Sequence, residues 1–219
     1  MVDTKELAAA LVAACEERQI IDVDVREAML TVPRAQFAPD QIWVGDQLDQ
    51  LIDKSRDLDA WHTAVYSNEP LVTQHDDGTG TGTMVPSSSL SAPSIVYRML
   101  YDAAINDTDK VFEAGTGSGW TSALMASWVE ARNITTMEYD PAVAAIAQKN
   151  LTNAGYSYDV IVGDASFGCA ERAPYDRFIW TCAVNRLPFP SVEQQSGWEA
   201  QYRRRPRYRC RRSRPLLAK

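Results

Sequence analysis

The 219-residue chain carries 22 Lys and Arg against 29 Asp and Glu, for a net charge of −7, with 45% hydrophobic residues. That size suits one sizeable domain or a domain with a helical attachment, and no stretch approaches the roughly 18 apolar residues that a membrane span needs. Two His and four scattered Cys (Cys15, Cys169, Cys182, Cys210), with no C-x-x-C, argue against a metal cluster and read as buried thiols of a reducing compartment.

Met1–Glu6 lacks a basic region followed by an apolar core, so no secretory signal is read and a cytoplasmic location is expected. Residues 199–219 hold nine Arg and Lys against one Glu, so the rest of the chain is more acidic than its net charge implies. An acidic body is a poor surface for a phosphate backbone, and no nucleic-acid partner is expected.

In chain order, residues 4–18 read as a helix with Leu7, Ala10, Leu11 and Ala14 on one face and Asp3 with Glu6 as a capping pair. A short helix follows over Asp24–Thr31, ending near Pro33. A polar helix is expected over Asp46–Asp59. Trp61–Thr73 reads as extended, with Val65, Leu71 and Val72 buried. Gln74–Ser89 is rich in Gly, Thr and Ser and reads as a long loop, and such loops in compact chains are functional or disordered. Pro93–Ile105 reads as a helix.

From Lys110 the pattern changes. Strands are expected at 110–114, 133–138, 158–162 and 176–181, with helices over about 118–130 and 141–154 between them. Strands alternating with helices of this length form parallel βαβ units, so the fold class is α/β.

The first of these strands runs through Val111-Phe112-Glu113 into Gly115-Thr116-Gly117-Ser118-Gly119-Trp120. Glycines there allow a sharp turn and a close approach of ligand to backbone. The G-x-G-x-G spacing departs from the dinucleotide fingerprint, whose third glycine falls one residue later. The second strand ends at Glu138, where a carboxylate can accept from both hydroxyls of a ribose. The third ends at Val162-Gly163-Asp164-Ala165, with Asp164 placed to accept from an adenine amino group. Three acidic residues at successive strand ends fit an adenosine with a cationic tail and would repel a phosphate. Each alone also suits a solvated strand end or a helix cap.

The chain resembles the protein-L-isoaspartate O-methyltransferase family through an ordered series of motifs over residues 5–190. Its cofactor half is carried by Glu-Ala-Gly-Thr-Gly-Ser-Gly-Trp (113–120), Val-Gly-Asp-Ala-Ser (162–166), Gly168 and Ala-Pro-Tyr-Asp-Arg (173–177). The N-terminal half matches through Val-Pro-Arg-Ala-Gln-Phe-Ala-Pro (32–39), Tyr-Ser-Asn-Glu-Pro-Leu (66–71) and Ser-Leu-Ser-Ala-Pro (89–93). The resemblance implies a Rossmann-like sheet with an N-terminal helical extension, S-adenosyl-L-methionine (SAM) as cofactor, no metal, and methyl transfer to an Asp or isoaspartyl carboxylate of a peptide or protein. It implies that Glu113, Gly115, Thr116, Gly117, Ser118, Gly119, Glu138, Asp164 and Ala165 bind the cofactor. Ser91 matches the serine that holds the acceptor carboxylate; read alone it is a good N-cap for the helix after it. Tyr66, Ser89 and Trp120 are candidates for the acceptor side, with core packing an equal reading for Tyr66 and Trp120. His62 reads as packing near Trp61, and His75 as loop. A monomer is expected.

Two departures stand out. Asn68 lies where the family usually has Asp, and the segment from Leu71 to Ser91 is longer than in the repair enzymes. The string Tyr-Ser-Asn-Glu-Pro-Leu-Val-Thr-Gln (66–74), with the later Ser-Ser-Ser (87–89), resembles an actinobacterial branch that accompanies lanthipeptide and ATP-grasp peptide maturation, where Asp of a modified precursor is the acceptor. General isoaspartyl repair, or a non-catalytic SAM- or peptide-binding relic, are the alternatives.

The expected organisation is 1–90 as a helical and acceptor-loop region, 91–195 as the cofactor domain and 196–219 as a basic tail. Val192-Glu193-Gln194-Gln195 begins a helix, and no apolar strand is readable after it. The arginine run with interleaved tyrosines fits an RNA-binding arm, a surface for an acidic leader peptide, or an unstructured or out-of-frame end. In the last case the sheet lacks its final strand pair.

Overall fold

The computed structural model describes residues 4–17, 22–45 and 50–197. Its first helix, α1 (Thr4–Glu16), buries Ala8, Leu11, Val12 and Cys15, the i, i+3, i+4, i+7 stripe of an amphipathic helix. Asp3, expected to cap it, lies outside the described residues. In α2 (Val23–Thr31) the Asp22 side chain accepts from the N–H groups of Asp24 and Val25, both at 3.0 Å. The helix stops before Val32-Pro33, since the residue preceding proline is steered away from helical geometry.

The next segment departs from the expected polar helix at 46–59. Gln41–Val44 (β1) and Gln50–Asp53 (β2) form an antiparallel pair, and 46–49 lie outside the described residues. The helix comes later, as α3 (Leu58–Val65), with Asp57 capping it through the Ala60 N–H at 2.9 Å. Trp61 and Val65, expected to be extended, are fully buried one turn apart on this helix. The extended chain starts only at β3 (Leu71–His75). The expected loop from Gln74 is largely a hairpin, because Pro86–Leu90 (β4) pairs antiparallel with β3, matching Leu71 with Leu90 and Val72 with Ser89. His75 therefore ends a strand, edge-on to Trp43 at 4.9 Å between centroids, whereas His62 packs against Trp61 at 5.3 Å.

These strands form one sheet in the order β2-β1-β3-β4. After it comes α4 (Pro93–Ala103), which buries Pro93, Val96, Tyr97 and Leu100. The α/β part follows: β5 (Val111–Ala114), α5 (Trp120–Met125), β6 (Ile134–Glu138), α6 (Pro141–Asn153), β7 (Val160–Val162), β8 (Arg177–Trp180) and the short α7 (Phe189–Glu193). The four strands are parallel, in the order β7-β6-β5-β8. Only α5 is much shorter than its expected span. The chain leaves it through turns at Ala126–Trp128 rather than continuing to 130.

One apolar cluster joins α1, α2, α3 and α4 to a face of the parallel sheet, through Val12, Met29, Trp61, Tyr97, Leu124, Ile134 and Ile179. Phe112, Ala114, Met137 and Tyr175 form a second cluster, with Phe112 and Tyr175 edge to face at 5.3 Å. Strands β6 and β7 lie on one side of β5 and β8 on the other. The connection reverses at β5, and ligands of open α/β sheets bind outside the strand ends at such a switch point. Among the described residues no helix is long and apolar enough to cross a membrane. Of the expected buried thiols, Cys15 is buried, Cys169 half-buried and Cys182 exposed. Cys210 lies outside the described residues.

Candidate active site

A cleft of about 630 Å³ opens at the carboxyl ends of β5, β6 and β7, between the glycine loop and the edge of the β3–β4 hairpin. It is lined by Gly115, Thr116, Gly117, Ser118 and Trp120 from the loop and the start of α5. Glu138, Tyr139 and Asp140 line it after β6, Asp164 and Ala165 after β7, and Gln74, Ser89, Leu90 and Ser91 from the hairpin side. The structure thus brings most of the sequence-derived candidates into one place.

The loop turns through left-handed backbone at Gly115 (φ 91°), Gly117 (φ 56°) and Gly119 (φ 92°). A Cβ on Gly115 would meet Thr181 Oγ1 at 2.8 Å, and one on Gly117 would face the Ser89 carbonyl oxygen at 3.5 Å. The hairpin therefore closes directly over the loop. Gly119 caps α5 and packs toward Leu151, away from the cleft lining.

Glu138 is half-buried. Its Oε2 accepts from the Gly117 N–H at 2.8 Å and its Oε1 from the Asp140 N–H at 3.2 Å. Each carboxylate oxygen takes more than one donor, so both retain acceptor capacity. Asp164 is exposed and accepts from the Ser166 N–H at 2.8 Å. The hydrogen bonds from Ser166 hold its carboxyl below the usual range. Two carboxylates at neighbouring strand ends, beneath a glycine cradle, fit a ribose and an amino-purine.

Glu113 lies elsewhere. It is fully buried under the loop and does not line the cleft. Its Oε2 accepts from Ser122 Oγ and from Thr136 Oγ1, the latter at 2.7 Å. Thr136 Oγ1 also bonds Thr116 Oγ1 at 2.6 Å, linking the carboxyl to the loop. Burial pushes the carboxyl up to about 7; the two hydroxyl bonds pull the other way, and the nearby Glu138 charge adds to the rise.

On the hairpin side, where the acceptor is expected, Ser89 and Ser91 line the cleft. The N-cap of α4 is Ala92, not Ser91, and the Ser94 N–H is taken instead by Asn68 Oδ1 at 2.9 Å. Ser91 is thereby left for the cleft. Trp120 lines the cleft too, but its indole is nearly fully buried, with Nε1 donating to the Val32 carbonyl at 3.3 Å. Tyr66 is buried in the core and does not line the cleft.

Two features were not singled out by the sequence. Asp140, N-cap of α6, accepts from Gln74 Nε2 at 2.9 Å, joining the β3–β4 hairpin to the start of α6. The Asp-Pro pair at 140–141 signals a helix start, but nothing local points to Gln74. The other is Arg34 of the Val-Pro-Arg motif, whose buried guanidinium lies 5.3 Å over the Trp120 ring. Burial lowers it to about 9, still above neutrality.

Residues 6–197 match the profile of the family described as Protein-L-isoaspartate(D-aspartate) O-methyltransferase. The chain is 36% identical over 180 residues to the protein-L-isoaspartate O-methyltransferase of Hyperthermus butylicus, covering 78% of this chain and 62% of that protein. Against that of Ignicoccus hospitalis it is 34% identical over 173 residues, covering 78% and 68%. It thus spans about 62% of the length of the Hyperthermus relative. A solved protein-L-isoaspartate O-methyltransferase superposes with a TM-score of 0.65 at 22% identity, over 88% of this chain and 52% of that one. A Plasmodium falciparum structure of the same description, in complex with S-adenosyl-L-homocysteine, gives 0.64 at 15% identity, over 90% and 81%. The solved structures bear on the fold, a Rossmann-like α/β sheet. The profile and the sequence identities bear on descent, and together they place this chain in the protein-L-isoaspartate O-methyltransferase family.

Proposed function

We propose that the chain is a SAM-dependent carboxyl O-methyltransferase acting on an isoaspartyl side chain of a peptide or protein. The observation that carries this is the cleft itself, which sets Glu138 and Asp164 against Ser89 and Ser91 across the glycine loop. Glu138 would accept from the ribose hydroxyls of the cofactor and Asp164 from its adenine amino group. Gly115 and Gly117 present their backbone to the cleft, and the loop packs too closely for a side chain at Gly115, where a Cβ would already meet Thr181. SAM supplies a methyl group already activated by its sulfonium.

The acceptor carboxyl, with an ordinary pKa of about 4, is ionised at neutral pH and needs no general base. The remaining task is alignment and exclusion of water, and orientation alone is worth roughly 7–11 kcal/mol. The Ser91 hydroxyl and neighbouring N–H groups hold the carboxylate without the tight ion pair that would blunt its nucleophilicity.

A second reading, methylation of Asp in a maturing ribosomal peptide, is favoured by the hairpin. Gln74, Asp77, Ser87 and Ser88 from the lengthened Leu71–Ser91 segment reach the cleft. Incubation with labelled SAM and matched isoaspartyl and aspartyl peptides separates the two. Methyl ester formed on the isoaspartyl peptide alone is the expected result. Ester on neither peptide, nor on any Asp-bearing precursor, would overturn carboxyl transfer; binding of SAM without transfer would mark a relic.

A further inference from the structure

The Val32-Pro33-Arg34 segment lies outside the cleft lining, yet both walls of the cleft are fastened to it. Arg34 is 1% exposed. It makes no ion pair with a carboxylate among the described residues. Its partners are instead five main-chain carbonyl oxygens. Nη1 donates to Val65 at 2.8 Å and to Ser67 at 3.2 Å. Nη2 donates to Glu69 at 3.1 Å, Leu90 at 3.4 Å and Ser91 at 3.0 Å. Its face covers Trp120, whose indole is bonded to Val32.

A buried cation without a counter-ion is costly unless dipoles are fixed around it. Here the fixed dipoles include the Leu90 and Ser91 carbonyls, whose oxygens are drawn inward to the guanidinium. The same arrangement takes the negative ends of two peptide dipoles away from the place where an anionic acceptor would bind. Ser91 still lines the cleft while its carbonyl is held by the guanidinium.

We propose that Arg34 is the positioning residue of the acceptor site: it turns the Leu90–Ser91 carbonyls away from the cleft and so makes that wall selective for a carboxylate over a neutral amide. This rests on the carboxyl-transfer reading above. Arg34 does not touch the substrate; it acts through the Ser91 peptide unit and through Trp120. Lysine keeps the charge but lacks the planar fork that reaches several carbonyls at once.

The test compares wild type and Arg34→Lys, each saturated with S-adenosyl-L-homocysteine. Calorimetry measures the affinity of an isoaspartyl peptide and of the same peptide with that carboxyl as its amide. Wild type should favour the carboxylate by about tenfold, and Arg34→Lys should lose most of that ratio, the size expected for one charge-assisted contact. S-adenosyl-L-homocysteine affinity should change less than about twofold, because the cofactor carboxylates are untouched. The peptide KM in methyl transfer should rise more than kcat falls. A merely structural role would move melting temperature and both affinities together and leave the ratio intact. An unchanged ratio in a folded Arg34→Lys protein overturns the proposal. Where the lysine variant does not fold, Arg34→Gln makes the same comparison. A wild type that binds neither peptide overturns the carboxyl-transfer reading itself. A wild type that methylates the acid but shows no preference over the amide overturns only the role of Arg34.

Discussion

Gln74 Nε2 donates to Asp140 Oδ2 at 2.9 Å, tying the β3–β4 hairpin to the N-terminal end of α6. Both residues belong to wider networks. Gln74 Oε1 accepts from Ser87 Oγ at 3.0 Å across the hairpin. Asp140 Oδ1 caps α6 through Ala142 N–H at 2.7 Å, and its own N–H bonds Glu138 at 3.2 Å. The hairpin that roofs the cleft is thus joined, through two side chains, to the carboxylate proposed to hold the ribose. Gln74→Ala should weaken S-adenosyl-L-homocysteine binding by about fivefold, near the net worth of one such bond, while changing the melting temperature little. The Asp140 carboxyl, held low first by the Gln74 bond, should titrate nearer its ordinary value in the variant. Calorimetry and NMR titration read the two effects, and unchanged cofactor affinity would sever hairpin from cofactor site.

Glu113 makes stability depend on pH. Its folded pKa of about 7 exceeds the ordinary value of 4.5, so between them the native state binds more protons than the unfolded chain. Stability should therefore fall as pH rises through that window, by roughly 3 kcal/mol in all. Glu113→Gln removes this titration and keeps a side chain that accepts from Ser122 and Thr136. Urea unfolding at the two ends of the window should show wild type losing stability that the variant retains. Parallel pH profiles would mean that Glu113 is already ionised when buried.

The glycine loop permits a graded test. At Gly115 alanine meets both a positive φ of 91° and a Thr181 oxygen at 2.8 Å, whereas at Gly80 (φ 67°) nothing lies within 4 Å. Gly80→Ala should cost only backbone strain, on the order of 1 kcal/mol, and Gly115→Ala distinctly more, with loss of cofactor binding. Thermal melts with and without S-adenosyl-L-homocysteine rank the two. Equal costs would count against the tight packing of the loop.

Ser91 and Asp164 should separate the two halves of the site. Ser91→Ala is expected to keep cofactor affinity and to lower methyl transfer by about tenfold or more, whereas Asp164→Ala weakens cofactor binding by about tenfold. Calorimetry with S-adenosyl-L-homocysteine and initial rates on an isoaspartyl peptide give both quantities. Normal transfer by Ser91→Ala would remove Ser91 from the acceptor site.

The order of elements from Lys110 onward was legible because each depends on neighbours in sequence. Helix faces repeat every three to four residues, the strands β5 and β6 are almost wholly apolar or small, and Asp140-Pro141 opens a helix by local chemistry. The stretch from 46 to 90 is less legible. Gln50–Asp53 holds only one adjacent apolar pair, Leu51-Ile52, with no alternation to mark a strand, and is a strand because β1 lies beside it. Trp61 and Val65 suit either an alternating strand or one turn of helix until packing decides. Cross-strand pairing, not propensity, makes the Ser-rich 86–90 segment a strand.

The sequence by itself determined the α/β class, the glycine loop after β5 and the carboxylates Glu138 and Asp164 at the strand ends that follow. All of these are set within a few residues of where they act. Only the tertiary structure decided that Glu113 is buried away from the cleft, that Asn68 rather than Ser91 caps the first turn of α4, and that Arg34 holds the Ser91 carbonyl. Gln74 and Asp140 are 66 residues apart, and Arg34 and Ser91 are 57 apart. No periodicity reaches so far; such pairs are fixed by how the buried faces pack, and by the need to give each buried donor and acceptor a partner.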